Sequence, residues 1–537
     1  AGRARAPPEV STACGTLRGA WEGGVAAFRG IPFGAPPTGR RRWMPAEAAA
    51  CWTPSVLNAT RDGPSCVQGN RSGGPEDEDC LNLNVFAPEG RPAGGWRPEG
   101  LPVLVWIYGG CNTEGSVSFY GEIENIVRDR PHVLVAMNYR LNVFGFLALQ
   151  ELSAIDPRGV SGNLGITDQQ LALQWVRDNI RAFGGDPHRV TIFGHSSGGS
   201  NVLAHLSSKG SRGLFHRAIS LSGSSNITMD RDSKEAQDKA LFVPRTPCAN
   251  RSGQDLLDCL YEVPAETLHA AMPPSYSYFA EFYDYPVDKR GLGAHVSTLL
   301  YMDGVTVSMP PEKALRSGLH DVPVLFQNTQ AEMDLFPISD LFGVSAADLE
   351  TFLDGKFAPA FGREAAAELY ALYNETTAVA PEYTAYAVDA DSALSCGIRA
   401  MLLAAQAPLQ AGLRSPVYWG LVTEQPGDVV HNRRFPYHGW DVQAASRTWD
   451  LSRVSKDYRP TPRDVQFGNV LLDQWSQLAT SGTLDAASWT PVQWLPRGEV
   501  TGSTIRSDGI RRARQLKADI CSFWQSRGVG EQWWWIN

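Results

Sequence analysis

One short segment, Gly-His-Ser-Ser-Gly at residues 194–198, constrains the fold of this chain more than any other. It follows an apolar run at 190–193 and precedes small and apolar residues. This order predicts a strand, a tight turn and a helix, with a serine on a turn that glycine neighbours permit without a Cβ clash. The oxygen of Ser196 would then stand clear of the sheet, at the positive end of the helix. We therefore interpret Ser196 as a candidate nucleophile; the alternative is an ordinary strand-to-helix turn.

A serine nucleophile needs a base within hydrogen-bond reach and an acid that orients the base. In this strand–turn–helix context the expected chain order is serine, acid, histidine. Of the ten histidines, His438 lies in a loop punctuated by proline and glycine, and His431 is the alternative base. Glu332 falls just beyond a short apolar strand, and Asp334 is the alternative acid. Loops at strand ends are where rigid scaffolds carry catalytic groups, so we expect these side chains to converge.

A second apolar run, at 101–108, leads into Gly109, Gly110 and Cys111. A glycine-rich turn after such a strand supplies backbone N–H donors to the oxyanion of esterases. The backbone N–H of Ser197 would add another donor. The sequence therefore predicts an oxyanion hole beside Ser196.

Several longer sequence runs follow one another along the chain and together form a recognisable pattern. They read FRGIPFGAPP at 28–37, EDCLNLNV at 78–85, VAMNYRLNVFGF at 135–146 and GNLGITDQQLALQWVRDNI at 162–180, with shorter runs at 182–187, 217–224, 438–441 and 520–524. With them the chain resembles the cholinesterase and type-B carboxylesterase family, over most of its length. The resemblance implies an α/β-hydrolase fold, with a large, mostly parallel central sheet flanked by helices and with loop insertions that form a gorge.

The resemblance also implies roles for particular residues. It gives Ser196 as nucleophile, His438 as base and Glu332 as acid, with oxyanion donors at Gly110, Cys111 and Ser197. It further implies two buried ion pairs, Arg42 with Glu78 and Arg140 with Asp168. These implied roles agree with the triad read from the local patterns.

Four positions depart from the family pattern. Cys111 stands where a third glycine is usual, and its Cβ could crowd the turn, although the donor is a backbone N–H that survives the substitution. His195 stands where the family often has Glu, Ser197 where Ala is usual, and Asp441 where Glu is usual. The cysteine is the departure that bears most directly on activity.

Cysteine spacing, seen through the resemblance, indicates a disulfide framework. The pairs that resemble the family's disulfides are Cys66 with Cys80, Cys248 with Cys259, and Cys396 with Cys521. Because the chain has nine cysteines, at least one must remain a thiol. Cys14 and Cys51 could form a fourth pair, which would leave Cys111 as that thiol. No CxxC motif or His/Cys cluster indicates a metal site, and no cofactor is expected.

N-x-S/T sequons also bear on localisation. They lie at Asn58, Asn70, Asn226, Asn250 and Asn374. Sequons together with disulfides favour a secreted glycoprotein. No secretory signal pattern is present, and Ala1 reads as a mature or engineered start.

Size and charge limit the other function classes. The candidate residues of one site span 196–438 with no linker between them, so the 537 residues are predicted to form one domain, 1–537. The net charge is −9 without a basic stripe, so nucleic acid is not an expected partner. No apolar run approaches the ~20 residues that span a membrane.

The candidate pocket favours esters other than choline esters. A quaternary ammonium needs an aromatic face, which the family resemblance places in the loop between the first two disulfide cysteines. Here that loop, at 66–80, contains no aromatic residue. The resemblance further implies that the family's acyl-pocket aromatics are replaced by Met229 and by small residues around Ala294 to Val296, so an acyl group longer than acetyl should fit. The sequence thus predicts a secreted serine carboxylesterase or lipase acting on a small-molecule ester. The alternative is a non-catalytic adhesion, scaffold or binding domain with an impaired oxyanion hole; the oligomeric state is not predicted.

Patterning also predicts the main elements. Strands are expected at 103–108, 133–138, 190–193, 218–222 and 416–421, and helices at 168–183, 464–480 and directly after Ser196. Residues 1–60 are predicted as short strands, 225–320 as an irregular insertion and 340–410 as helical.

Overall fold

The computed structural model describes residues 6–70, 73–89, 100–276, 299–335, 345–373, 380–406, 414–428, 434–449, 455 and 457–527. Its strands are β1 Glu9–Thr12, β2 Gly15–Arg18, β3 Ala20–Glu22, β4 Val25–Pro32, β5 Val56–Asn58, β6 Ser65–Cys66, β7 Glu76–Asp77, β8 Asn82–Pro88, β9 Leu101–Ile107, β10 Val133–Met137, β11 Gly185–His195, β12 Arg217–Leu221, β13 Val324–Thr329, β14 Val417–Val422, β15 Thr501–Arg506 and β16 Gly509–Arg514.

The helices alternate with the central strands. They are α1 Asn125–Arg128, α2 Asn142–Phe146, α3 Gln150–Ile155, α4 Leu164–Asn179, α5 Ser197–Leu206, α6 Arg231–Leu241, α7 Gly253–Glu262, α8 Ala265–Ala270, α9 Pro311–Ser317, α10 Ala346–Phe361, α11 Arg363–Leu372, α12 Pro381–Ala390, α13 Cys396–Ala405, α14 Trp440–Ser446, α15 Pro462–Ser481 and α16 Ala518–Ser526. Short 3-10 turns lie at Gly39–Arg41, Ile180–Phe183, Lys209–Ser211, Val243–Arg245, Pro274–Tyr276, Glu332–Leu335 and Val492–Trp494, and a π-helical turn at Asp391–Ser395 links α12 to α13.

An eleven-stranded mixed sheet organises the molecule, in the order β16-β15-β14-β13-β12-β11-β9-β10-β8-β4-β3. The run from β15 to β10 is parallel, and antiparallel pairs close both edges. β9, β10, β13 and β14 are buried along their whole length. A parallel strand covered on both faces reads as a continuous apolar run, which is why these strands could be recognised from composition.

The strand register places the carboxyl ends of four strands at one edge. Ile107 of β9 pairs with Gly194 of β11, and Leu221 of β12 pairs with Gln327 of β13. The segments that leave these strands therefore begin side by side. Such an edge is the usual position for a site in an open α/β sheet.

The core elements confirm most of the expected pattern, with one correction. The predicted strands are present within one to five residues of their expected ends, and α15 begins at Pro462 close to the predicted start. Helix α4 begins at Leu164, four residues before the predicted start, after Asn163 in the left-handed conformation. The interpretation of 225–320 as irregular is wrong for its described part, which contains α6 to α9. Their apolar positions recur at helical spacing, a signal hidden by the turn-forming residues between them.

The disulfides complete the framework. The structure contains the bonds Cys14–Cys51, Cys66–Cys80, Cys248–Cys259 and Cys396–Cys521. The possible fourth pair is therefore present, and Cys111 is a buried thiol. A second buried apolar cluster, from α10, α11, α12 and α16, surrounds Cys396 and Cys521.

Both ion pairs implied by the resemblance are present. Arg42 donates to Glu78 through Nε at 2.6 Å and Nη2 at 2.8 Å. Arg140, just after β10, pairs with the fully buried Asp168 of α4 through Nε at 2.8 Å and Nη2 at 2.6 Å. Its Nη1 also donates to the Arg42 carbonyl oxygen at 3.0 Å. Bidentate geometry of this kind fixes both partners, so it holds α4 against the end of β10.

Surface features bear on the remaining predictions. Asn58, Asn70 and Asn250 are exposed, Asn226 is half-buried, and Asn374 lies outside the described residues. Within the described ranges, the helices are all too short or too polar to cross a membrane.

Candidate active site

Ser196 occupies the turn between β11 and α5, with φ 60° and ψ −129°. A residue with a side chain keeps such angles only where its surroundings impose them. Close approaches on both sides do so: a Cβ on Gly194 would meet the Gly198 carbonyl oxygen at 2.4 Å. A Cβ on Gly198 would meet the Ile107 carbonyl oxygen at 2.1 Å. The strand, turn and helix predicted from the sequence are therefore present, and both glycines are required by space.

Glu332 and His438 form a hydrogen-bonded pair. The His438 Nδ1–H donates to Glu332 Oε2, and the His438 backbone N–H donates to the Glu332 carbonyl oxygen at 3.2 Å. Glu332 is fully buried, and its Oε1 accepts from Ser222 Oγ at 2.7 Å and from the Thr329 N–H at 2.6 Å. Because Nδ1 carries the proton of the neutral ring, Nε2 is left as the acceptor. That tautomer suits a general base for a serine.

The alternative acid has a different task. Asp334 Oδ2 accepts from the backbone N–H groups of Arg434 at 3.0 Å and Phe435 at 2.9 Å. The Phe435 ring stacks on Tyr383 with centroids 4.4 Å apart. Asp334 therefore ties down the loop that leads to His438. The alternative base, His431, lies outside the described residues.

His195 brings the base next to the serine turn. Its ring lies 4.3 Å from the His438 ring, centroid to centroid, and its Nδ1 is 2.8 Å from the Tyr120 hydroxyl. Burial, and secondarily the nearby His438, hold the pKa of His195 well below its usual range. His195 is thus neutral at physiological pH. Where the family often has a carboxylate, this chain has an uncharged imidazole in contact with the candidate base.

The turn after β9 lies directly against Ser196. A Cβ on Gly109 would fall 2.7 Å from Ser196 Cβ. Gly110 has φ 123°, and the next two residues, Cys111 at 61° and Asn112 at 56°, are left-handed. We call these three residues the oxyanion turn. A left-handed conformation costs a residue with a side chain on the order of 1 kcal/mol, so the turn must be held by its surroundings.

The candidate oxyanion donors meet at this turn. The backbone N–H groups of Gly110 and Ser197 have no hydrogen-bond acceptor among the described residues. The Gly110 carbonyl accepts the N–H groups of Thr113 and Glu114, each at 3.0 Å. Because the C=O and N–H of a trans peptide point in opposite directions, this orientation turns the Cys111 N–H away from the loop. The structure thus brings the predicted donor residues together beside the serine.

Asp441 is a second buried carboxyl group near the pair. Its Oδ2 accepts from Gln327 Nε2 at 2.6 Å, and its Oδ1 accepts from the Val442 N–H at 2.9 Å. Burial raises the pKa of Asp441 to about 6; the Gln327 hydrogen bond opposes this, and the charge of Glu332 adds to it. Asp441 therefore changes protonation near pH 6, inside the site.

Sequence reasoning missed Ser222 and Tyr120. Ser222 closes a run at the end of β12 and has φ 49°, a turn that brings its hydroxyl to Glu332. Its position in the run at 217–224 was the available signal. Tyr120 had no comparable signal, since its partner is 75 residues away. Within the described part of the chain, no group of three or more His, Cys, Asp or Glu residues could hold a metal ion.

Comparison with known proteins identifies the family and the fold of this chain. The model of the carboxylesterase family matches residues 6–524. Solved para-nitrobenzyl esterase structures superpose with a TM-score of 0.72 at 27% identity, covering 96% of this chain and 99% of theirs. The predicted α/β-hydrolase fold is confirmed by this likeness.

Proteins that are similar in sequence are also ester hydrolases by name. A para-nitrobenzyl esterase of Bacillus subtilis (strain 168) is 35% identical over 63% of this chain and 66% of its own length. A carboxylic ester hydrolase of Bombus ignitus is 36% identical over 53% and 51%. An acetylcholinesterase of Electrophorus electricus is 38% identical over 60% and 50%. The matched segment thus spans between half and two thirds of these relatives. Because the family model matches almost the whole chain, the chain belongs to the carboxylesterase family.

Proposed function

We propose that this chain is a serine carboxylesterase that hydrolyses small-molecule carboxylic esters. The observation that carries the proposal is the buried Glu332–His438 hydrogen bond, whose histidine ring lies 4.3 Å from the ring of the residue preceding Ser196. A nucleophile, a base and an orienting acid in this relation constitute an acyl-transfer site. Family membership supports the same chemistry.

In the first half of the reaction, Ser196 Oγ attacks the ester carbonyl carbon while His438 Nε2 takes the hydroxyl proton. The carbonyl oxygen becomes an oxyanion, which accepts hydrogen bonds from the N–H groups of Gly110, Cys111 and Ser197. Glu332 keeps the ring in its tautomer and stabilises the imidazolium. Collapse of the tetrahedral intermediate breaks the bond to the alcohol, which leaves with the proton from His438.

In the second half, water attacks the acyl-enzyme carbonyl and gives its proton to His438. The same N–H donors stabilise the second oxyanion. Collapse returns the proton to Ser196 Oγ and releases the carboxylic acid. Because base and acid roles alternate on one imidazole, loss of the ring should stop both halves.

The proposed substrates are esters with an uncharged alcohol. The loop at 66–80 has no aromatic side chain to face a quaternary ammonium. Because His195 is neutral, the residue before the serine carries no negative charge that would attract a cation. Relatives named para-nitrobenzyl esterase and carboxylic ester hydrolase support ester hydrolysis, but an acetylcholinesterase is equally similar, so the choice of alcohol rests on the residues of the pocket.

A direct experiment is labelling with a fluorophosphonate probe together with hydrolysis of p-nitrophenyl butyrate. We expect Ser196 to be labelled and butyrate to be released, with butyrylthiocholine hydrolysed far more slowly. Ser196→Ala is the control and should show neither signal. Labelling of the Ser196→Ala variant at the same rate would overturn the assignment of the nucleophile.

A second candidate function follows from Cys111, whose side chain stands in the oxyanion turn. If that Cβ displaces a donor, the chain is a binding domain with an impaired oxyanion hole. Loss of one such donor lowers kcat by about 10²–10³-fold. An inactive native protein that gains hydrolysis in Cys111→Gly would favour this candidate.

We further propose that the protein is a secreted glycoprotein. Its disulfides and three exposed sequon asparagines support this localisation. Secretion from a eukaryotic cell and an N-glycosidase mobility shift would test it. A secreted product with no shift would contradict the glycosylation.

A further inference from the structure

The oxyanion turn is unusual because two consecutive residues with side chains are left-handed. Cys111 and Asn112 have φ values of 61° and 56°. Glycine adopts this region freely and asparagine more readily than most residues, but a cysteine there is strained, so the turn needs support from outside itself.

Asn112 receives that support from two directions. Its backbone N–H donates to Ser197 Oγ at 3.0 Å, and its side-chain oxygen accepts from Asn201 Nδ2 at 2.9 Å. Ser197 and Asn201 are four residues apart on α5 and share one face of that helix. The Asn112 carbonyl oxygen accepts the Asn142 N–H at 2.6 Å. All four residues are fully buried, so each bond is shielded from water.

Ser197 links the two halves of the oxyanion hole. Its backbone N–H is the candidate donor on the helix side, while its hydroxyl holds Asn112, the residue after Cys111, on the turn side. One residue therefore sets the spacing between its own N–H and the donors of the turn. An alanine, usual at this position in the family pattern, would keep the N–H and lose the second contact.

We propose that the Ser197 hydroxyl is a positioning group that fixes the oxyanion turn and allows a cysteine to occupy position 111 without loss of activity. This inference rests on the proposed esterase function. It makes Ser197 and Cys111 an energetically coupled pair, although the hydroxyl does not touch the substrate.

The test is a double-mutant cycle with Ser197→Ala and Cys111→Gly. In the native background, Ser197→Ala should lower kcat for p-nitrophenyl butyrate by about 10–100-fold, because a displaced donor loses part of the 10²–10³-fold that one donor provides. KM should change little, since the ester binds before the oxyanion forms. In the Cys111→Gly background the same change should cost less than about threefold, because glycine holds the left-handed turn without help.

A trifluoromethyl ketone, which forms an oxyanion adduct with the serine, provides the second readout. Its inhibition constant should rise in step with the fall in kcat. The control is Ser200→Ala on the same helix, whose buried hydroxyl accepts the Ser224 N–H at 2.9 Å instead of a group of the oxyanion turn. That variant should keep native ketone affinity even if its melting temperature falls.

The outcomes are separable. An active native protein whose Ser197→Ala variant matches it in kcat and ketone affinity would overturn the inference alone. An equal loss in both backgrounds would also overturn it, because the coupling to Cys111 would be absent. A native protein that neither hydrolyses esters nor binds the ketone would overturn the proposed function, and this inference with it.

Discussion

The two sides of the candidate site are held by different physical means. On the base side, carboxylates do the work: Glu332 accepts from His438, Ser222 and Thr329, and Asp334 accepts from the backbone of the loop before His438. On the oxyanion side, neutral amide and hydroxyl groups hold a left-handed turn. Charge-assisted hydrogen bonds are about twice as strong as neutral ones. We therefore expect activity to depend on the carboxylate charges at the base side, and on the conformational freedom of the backbone at the oxyanion side.

The largest expected effect tests whether the base side acts as a unit with the nucleophile. Ser196→Ala and His438→Ala should each lower kcat by roughly 10⁴-fold or more, and the double variant should lose little further, because such residues are strongly non-additive. Steady-state hydrolysis of p-nitrophenyl butyrate measures this. Independent, multiplying losses would show that the two side chains do not share one step.

The next effect compares the two carboxylates of the base side. Glu332→Gln keeps the shape but removes the charge that stabilises the imidazolium, so kcat should fall by about 10³–10⁴-fold. Asp334 accepts from the backbone of the loop before His438, so Asp334→Asn should lower kcat by less than about tenfold. A larger loss in Asp334→Asn than in Glu332→Gln would restore the alternative acid.

A third prediction concerns Asp441, whose pKa is raised to about 6 in the folded protein. Between pH 4 and 6 the folded state holds a proton that the unfolded state has released, so the unfolding free energy falls as pH rises through this window. Burial of the ionised carboxylate therefore lowers the unfolding free energy by roughly 3 kcal/mol, and this loss is complete above pH 6. Relative to the native protein, Asp441→Asn should therefore gain melting temperature from pH 4 to pH 7. A difference independent of pH would refute this account.

The smallest effect lies on the oxyanion side. Cys111→Gly relieves one left-handed residue, worth on the order of 1 kcal/mol, but raises the entropy of the unfolded chain by a similar amount. The melting temperature should shift by only a few degrees, and esterase activity should be equal or higher. A clear loss of activity would mean that the cysteine side chain itself shapes the site.

Local patterns could locate the parts of the site but not their supports. Ser196, Glu332 and His438 each lie at the end of an apolar strand or in a punctuated loop, and such signals are contained within a few residues. The bonds from Ser222 to Glu332 and from Asn112 to Ser197 join residues 110 and 85 positions apart. No local pattern carries that information, and a side chain finds such a partner only when the sheet register brings two strand ends together.

The sequence by itself predicted five strands of the sheet, the serine turn and three candidate catalytic residues, with Asp334 and His431 left as alternatives, because buried parallel strands and glycine-bounded turns leave short-range signatures. The tertiary structure decided that Cys14 pairs with Cys51, that Asp334 holds a loop, and that Ser197 Oγ accepts the Asn112 N–H. These outcomes depend on the distances between atoms that are remote in sequence, and packing fixes those distances.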